Sequence, residues 1–466
     1  MCIRDRSATD REQFDKLFAE AKSLQTQSNY LAATATFTRA VKMDPQFAEA
    51  HFRLAECELA MTNTDAREQF QIACDDDALP FRADTRINAA IRQVAQERAG
   101  NNLLLCDSES DLEQSGEAHV AGDETFYEHV HFNFDGSYRL GKIWAEHIAQ
   151  ELAASGISPA ATNWAAQTTC DRALGLSVWN RHFVVQSVIR RLGVPPLSTQ
   201  FNNAARLEKL RAEELACQQL EAQPKAIQSA REEFANALKD APEDGPLYMG
   251  LGNFLEAIKD PEAAIAAYRR LRDLTPDNFN ACLRLGRLLG TQGQPEQGEH
   301  VLEDAKKLRP YVPDAWFELG NVFAAQSKFA AALDAMEHAA RYYPQEPSYV
   351  GYKAQMLAKL NRHSEAIEQY RKAIQMSPDF WQAHLGLAGE LVAVNQQEEA
   401  MREYAAVIKI NPRHVISHLN LGVLLVRQNR LDEAIREFES ALALEPDNAA
   451  ARDYLRQVAA RRNQSP

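Results

Sequence analysis

The chain has 466 residues, room for about three domains of ordinary size. Hydrophobic residues make up 45% and charged residues 25%, a globular balance that excludes wholesale disorder, a collagen-like chain and a disulfide scaffold. Acidic residues outnumber basic ones 65 to 51, giving a net charge of −14, so general nucleic-acid binding is excluded, and no run of about 18 apolar residues offers a membrane-spanning helix.

Residues 1–7 open with MCIRDR and have no apolar stretch behind them, so no secretory signal is read. The hexapeptide reads either as the artefactual start of a gene product cut at its front or as a short disordered terminus. By lack of a signal the chain reads as cytoplasmic; if its true start lies upstream, the compartment is unknown. Seven scattered cysteines with no CxxC pair read as reduced or buried thiols.

Residues 8–75 carry two helix pairs. Ala33, Phe37, Ala40 and Pro45 keep a spacing that returns throughout the C-terminal half, and Leu54, Ala55, Ala66, Phe70 and Ala73 give a second pair shorter by one residue. Two such pairs bury little core, so they are expected to lean on the next segment of the chain.

Residues 76–155 break that spacing. Thr85–Glu97 reads as a helix with Ile87, Ile91 and Val94 on one face, and Asn102–Asp107 (NNLLLCD from 101) as a buried parallel strand. After a polar loop comes FYEHVHFNFDG, then a helix over Tyr138–Leu152 with Leu140, Ile143, Trp144 and Ile148 turned inward. Helix, strand, loop and helix are the tail of a doubly wound α/β domain, whose sites lie at the carboxyl ends of its strands.

The loop residues Glu128, His131, Asn133 and Gly136 resemble the last motif of SGNH (GDSL-type) hydrolases, an Asp-x-x-His-x-Asn-x-x-Gly pattern. The resemblance implies an incomplete flavodoxin-like segment with His131 as the general base for a serine and Glu128, in place of the family's Asp, orienting its imidazole. It covers only about 80 residues, and the family's Gly-Asp-Ser turn is missing. Ser108 stands 23 positions before His131, too close for the intervening elements. This chain is therefore expected to lack the nucleophile, to be inactive as an esterase, and to present an open apolar sheet edge where the neighbouring strands belong. On this reading 8–75 is an insert within the hydrolase domain. A metal cluster of Glu128, His129, His131 and His119 is the other reading of the loop; its spacing matches no recurrent zinc site, and no metal or cofactor is expected.

Residues 156–210 read as a helical junction carrying Trp164, Trp179, Phe183, Val184, Val188, Ile189 and Leu192, or instead as a partner site.

From 211 to 466 the sequence is periodic. Pro242, Pro276, Pro310, Pro344, Pro378, Pro412 and Pro446 are each 34 residues apart. With the proline at position 32, position 8 is Gly252, Gly286, Gly320, Ala354, Ala388 and Gly422; position 20 is Ala or Gly; position 24 is Tyr268, Leu302, Met336, Tyr370, Tyr404 and Phe438. Small residues let two antiparallel helices approach, the large residue fills between repeats, and the proline ends the second helix. This pattern resembles the tetratricopeptide repeat (TPR). The resemblance implies a mostly α protein, a right-handed α-solenoid of six full repeats over 245–446, with a degenerate repeat at 211–244 and a closing helix over 449–461.

In repeats of this kind the concave face is built by positions 2, 5, 9 and 12 of the first helix. Position 9 supplies Asn253, Arg287, Asn321 and Gln355, able to bond an extended peptide backbone, and the last two repeats supply Leu385, Val392, Leu419, Val423 and Val426. Arg284 and Arg287 are the only clustered cations, so no carboxylate clamp is expected. The sequence thus offers two functions: a scaffold binding a protein or peptide partner, or an SGNH-type esterase or acyltransferase, when full-length, recruited by its repeats. Partner, acyl substrate and oligomeric state are not encoded in any motif.

Overall fold

Each 34-residue period folds as an antiparallel helix pair. The first helices, A, are Gly245–Ala257, Phe279–Thr291, Pro313–Ala325, Pro347–Lys359, Trp381–Ala393 and Val415–Arg427. The second helices, B, are Pro261–Leu274, Pro295–Leu308, Phe329–Tyr342, His363–Met376, Gln397–Ile410 and Leu431–Leu444, and Ala449–Gln464 closes the array. This is a computed structural model, and it describes residues 7–61, 66–76, 85–98, 103–115, 121–122, 124–127, 131–157, 163–195, 197–200 and 202–464. The chain divides into two units, Met1–Ala173 with Val184–Ala212, and Leu174–Phe183 with Glu213–Pro466.

In the second unit the start of several helices is written in the sequence. Asp244, Asp260 and Asn278 accept hydrogen bonds from the backbone N–H three residues on, satisfying groups that the first turn leaves open. Each A helix ends in the same way. The residue at position 15 has a positive φ in all six repeats: Lys259, Gly293, Ser327, Asn361, Asn395 and Asn429. The next N–H then reaches back to the carbonyl at position 11, as from Asp260 to Leu255 and from Arg430 to Leu425, each at 2.9 Å. This six-to-one closure turns the chain sharply into helix B.

Small and large residues interlock within a repeat. A Cβ on Gly252, Gly286, Gly320 or Gly422 would lie 2.4–2.6 Å from the position-24 side chain of its own repeat, namely Tyr268, Leu302, Met336 or Phe438. Where position 8 is alanine the large ring goes elsewhere. Tyr370 fills the space above Gly386 of the next repeat, where a Cβ would lie 2.3 Å from the ring. Tyr404 takes a hydrogen bond from Asn420 of the next repeat at 3.3 Å. The glycine has moved, and the ring has followed it.

The repeat-closing proline has a partner that the periodicity did not reveal. Its carbonyl accepts a hydrogen bond from the side chain six residues on: Tyr248 to Pro242, Trp316 to Pro310 and Arg452 to Pro446. His384 and His418 make the same contact to Pro378 and Pro412, their other ring nitrogens facing Glu403 and Glu437. Before the first full repeat, Ala226–Asp240 buries Ala230, Phe234 and Ala237, as the degenerate repeat requires. Phe234 stacks on Phe254, whose ring also meets the edge of Trp179.

The first unit begins with two helix pairs, Ala8–Thr26 with Tyr30–Met43 and Ala48–Ala60 with Ala66–Asp75. Ala21, Ala33, Phe37, Leu54 and Cys57 form their core. Ser28 has the same positive φ and His51 the same bond to a proline carbonyl, here Pro45, as their counterparts in the array.

The segment after them departs from expectation. Among the described residues there is no β-strand, only an isolated antiparallel bridge between Phe126 and Phe132. Of the expected strand over 102–107, Leu103–Asp107 runs without a ladder, and Asn102 lies outside the described residues. A strand cannot form alone, because its N–H and C=O groups need a neighbour to bond. The small α/β sheet expected here is therefore not among the described elements. The flanking helices are present as Thr85–Glu97 and Phe134–Ala154, but their apolar faces are not covered. Ile87, Ile91 and Val94 are about half exposed, as are Trp144 and Ile148, which were expected to turn inward; Leu140 and Ile143 are partly buried. Leu103, Leu104 and Leu105 are exposed as well.

Candidate functional site

Two places were expected to carry function: the His131 loop and the helix A face of the array. In the loop, Asn133 caps helix Phe134–Ala154, its Oδ1 accepting the Gly136 N–H at 2.7 Å. The Asn133 N–H bonds the Thr125 carbonyl at 2.9 Å, and the Tyr127 N–H bonds the His131 carbonyl at 2.9 Å. The last two motif residues thus shape the turn into the helix. His131 itself is exposed, and the Arg191 guanidinium donates to its ring, 3.0 Å from Nε2. Glu128, expected as its orienting partner, lies outside the described residues, as do His119 and His129. Ser108 accepts a hydrogen bond from the Trp144 indole at 2.8 Å.

On the helix A face, three of the four polar position-9 residues are already engaged. The Tyr268 hydroxyl has two acceptors in reach of its one proton, the Glu256 carboxylate at 2.7 Å and Asn253 Oδ1 at 2.9 Å. Glu256, one turn beyond Asn253, also accepts from Arg284 at 3.2 Å and from Arg287. Asn321 donates to Glu318 at 3.3 Å. Burial raises the Glu318 carboxyl above the usual carboxylate range, an effect that the Asn321 bond and the nearby Arg287 charge oppose. Burial likewise pushes the Tyr268 phenol far up, so its proton stays available to donate. Asn253, Glu256, Tyr268, Arg284 and Arg287 therefore form one network, with Asn321 and Glu318 beside it. The two arginines share one carboxylate, that of Glu256, a residue that the position-9 pattern does not single out. The 34-residue spacing sets Glu256 one period, less three or six residues, before its two arginines, but the spacing alone does not show that they pair.

Gln355 is exposed. In the last two repeats Leu385, Val392, Leu419, Val423 and Val426 are partly buried against the main core, each keeping an outward surface. Between them Gly389 faces open space, with no atom within 4 Å of where its Cβ would be. The face is thus ionic and self-paired at one end and aliphatic at the other.

The sequence profile of the tetratricopeptide repeat matches residues 18–83, 227–279, 283–347, 322–379, 353–389 and 385–449, together more than half of the chain. The chain belongs to the tetratricopeptide repeat family. Three solved structures align with parts of the chain. YrrB, described as a TPR protein with an unusual peptide-binding site, is 20% identical, covering 41% of this chain and 97% of its own at a TM-score of 0.34. The pilF protein of Pseudomonas aeruginosa is 15% identical, with 46% and 97% covered and a TM-score of 0.41. The Cut9-Hcn1 hetero-tetramer of the APC/C is 12% identical, with 97% and 85% covered and a TM-score of 0.43. The comparison with curated proteins found no match.

Proposed function

We propose that the TPR array is a scaffold that binds an extended segment of a partner protein along its helix A face. The observation that carries this reading is the gradient on that face. Asn253, Arg287 and Asn321 are held by intramolecular bonds, which fix their side chains and lower the entropy lost when a ligand backbone bonds them. Leu385, Leu419 and Val423 offer outward aliphatic surface beside the open space at Gly389. A segment with apolar residues at one end and free backbone groups along the rest fits both halves. Glu256 pairs with both Arg284 and Arg287 and cancels one of their two charges, so an acidic tail would meet a pair that is already partly satisfied.

Peptides selected from a random library on the whole chain test this. Replacing Leu419 and Val423 together by Asn is expected to weaken them about tenfold or more, a loss of about 1.4 kcal/mol, with little change in Tm. Replacing Asn321 and Gln355 together by Ala should weaken them less. Equal binding by both double variants and the parent would place the site elsewhere.

A second reading concerns 76–155, which we retain as the C-terminal remnant of an SGNH-type domain. What favours it is the uncovered apolar surface on Thr85–Glu97, on Leu103–Leu105 and on the Trp144 face, which is what neighbouring strands would cover in a complete α/β domain. The His131 and Glu128 dyad belongs to this reading alone. It predicts no hydrolysis of short-chain p-nitrophenyl esters by this chain, and hydrolysis that survives His131→Ala would overturn it.

A further inference from the structure

Three side chains of different chemistry meet in the first unit, away from the His131 loop. The Cys106 thiol, a carboxylate oxygen of Asp111 and a ring nitrogen of His147 lie within 4.8 Å of one another. They come from three places: the extended run after Leu103, the helix Ser108–Ser115, and the middle of helix Phe134–Ala154. We propose that Cys106, Asp111 and His147 form a binding site for a divalent cation of the zinc class.

The chemistry selects the ion. Thiolate and imidazole favour zinc over magnesium or calcium, which take oxygen ligands. A thiolate and a carboxylate together cancel the two positive charges of the cation. Around zinc, with bonds of about 2.0–2.3 Å, tetrahedral ligand atoms sit about 3.3–3.8 Å apart. The widest pair in the cluster, at most 4.8 Å apart, needs to close by about 1–1.5 Å, within reach of side-chain rotation. His147 Nε2 and Asp111 are already 2.9 Å apart, and a cation would replace the bond between them.

The surroundings hold the ligands in place. On one side of Cys106, Arg92 grips Asp107 with two hydrogen bonds of 2.7 and 3.0 Å. The Trp144 indole, one turn before His147, bonds Ser108 and ties the long helix to the start of the short one. Such outer contacts orient metal ligands. Asp111 and His147 also line a surface cleft of about 480 Å³, together with Arg139, Lys142 and Glu146. Three protein ligands and a cleft leave a fourth position for water or another small donor.

The test is cobalt binding by the whole chain. One equivalent of Co²⁺ is expected to give the visible absorption of a tetrahedral site and a sulfur-to-metal charge-transfer band, both removed by Zn²⁺. Cys106→Ser should abolish the charge-transfer band, and His147→Gln and Asp111→Asn should each weaken binding on the order of 100-fold. Cys170→Ser should leave the spectrum as in the parent, and far-UV circular dichroism should show each variant folded. No saturable one-equivalent spectrum, or a charge-transfer band unchanged by Cys106→Ser in a folded protein, would overturn the site.

Discussion

Phe438→Ala is expected to lower the stability of the array by about 3–5 kcal/mol, the range for removing a large buried ring. The side chain is fully buried and its surroundings cannot collapse onto the space it leaves. On one side is Gly422, whose missing Cβ is what admits the ring; on the other is the Tyr454 ring of the closing helix, stacked at 5.3 Å. Loss of the ring removes contacts to both at once. Tyr370→Ala should cost a similar amount, since that ring is 6% exposed and lies against Gly386 of the following repeat. Urea unfolding followed by circular dichroism would measure both. A change below about 1 kcal/mol at either position would mean that the site repacks.

Gly136→Ala should destabilise the first unit by about 3 kcal/mol, the upper end of the range for overpacking. A Cβ there would lie 2.0 Å from the Thr125 carbonyl oxygen and 3.0 Å from the Phe132 ring. The nearer obstacle is backbone, so no rotamer change relieves it. That carbonyl also accepts the Asn133 N–H, so shifting it loosens the cap on helix Phe134–Ala154. Hydrogen exchange should show faster opening at the start of that helix, with the TPR array unchanged. Unchanged exchange throughout would disprove the close approach.

The repeat fold was legible because its determinants are residue identities at fixed spacing. Seven prolines gave the period, and Gly252, Gly286, Gly320 and Gly422 marked the close approach of helices. Two other devices were not legible because their residues share a property rather than an identity. Tyr248, Trp316, His384, His418 and Arg452 have in common only a side-chain donor that can reach a proline carbonyl. Lys259, Ser327 and Asn361 have in common only a left-handed backbone. The LLLC run at 103–106 misled for a different reason. An apolar run states that a segment needs covering, but a strand exists only when a second strand bonds to it. On the helix A face the polar positions were found, but not that Glu256 already holds Arg284 and Arg287, since pairing depends on geometry across two repeats.

The migration of glycine from Gly252, Gly286 and Gly320 to Gly386 changes how strain can pass along the array. Where the large side chain stays in its own repeat, as with Tyr268, Leu302 and Met336, it seals the two helices of one unit. Where it reaches across, as Tyr370 reaches over Gly386 and Tyr404 meets Asn420, it rivets adjacent units together. The core spans several repeats in each half of the array: one cluster runs from Ala230 to Ala315 and another from Ala332 to Val458, with Leu302, Leu319, Val322 and Ala335 forming a small cluster between them. In a linear array, cooperativity is set by the interfaces between neighbours, not by the neighbours themselves. Loss of the Tyr370 ring should therefore open the seam between two repeats, and loss of the Leu302 side chain the seam inside one.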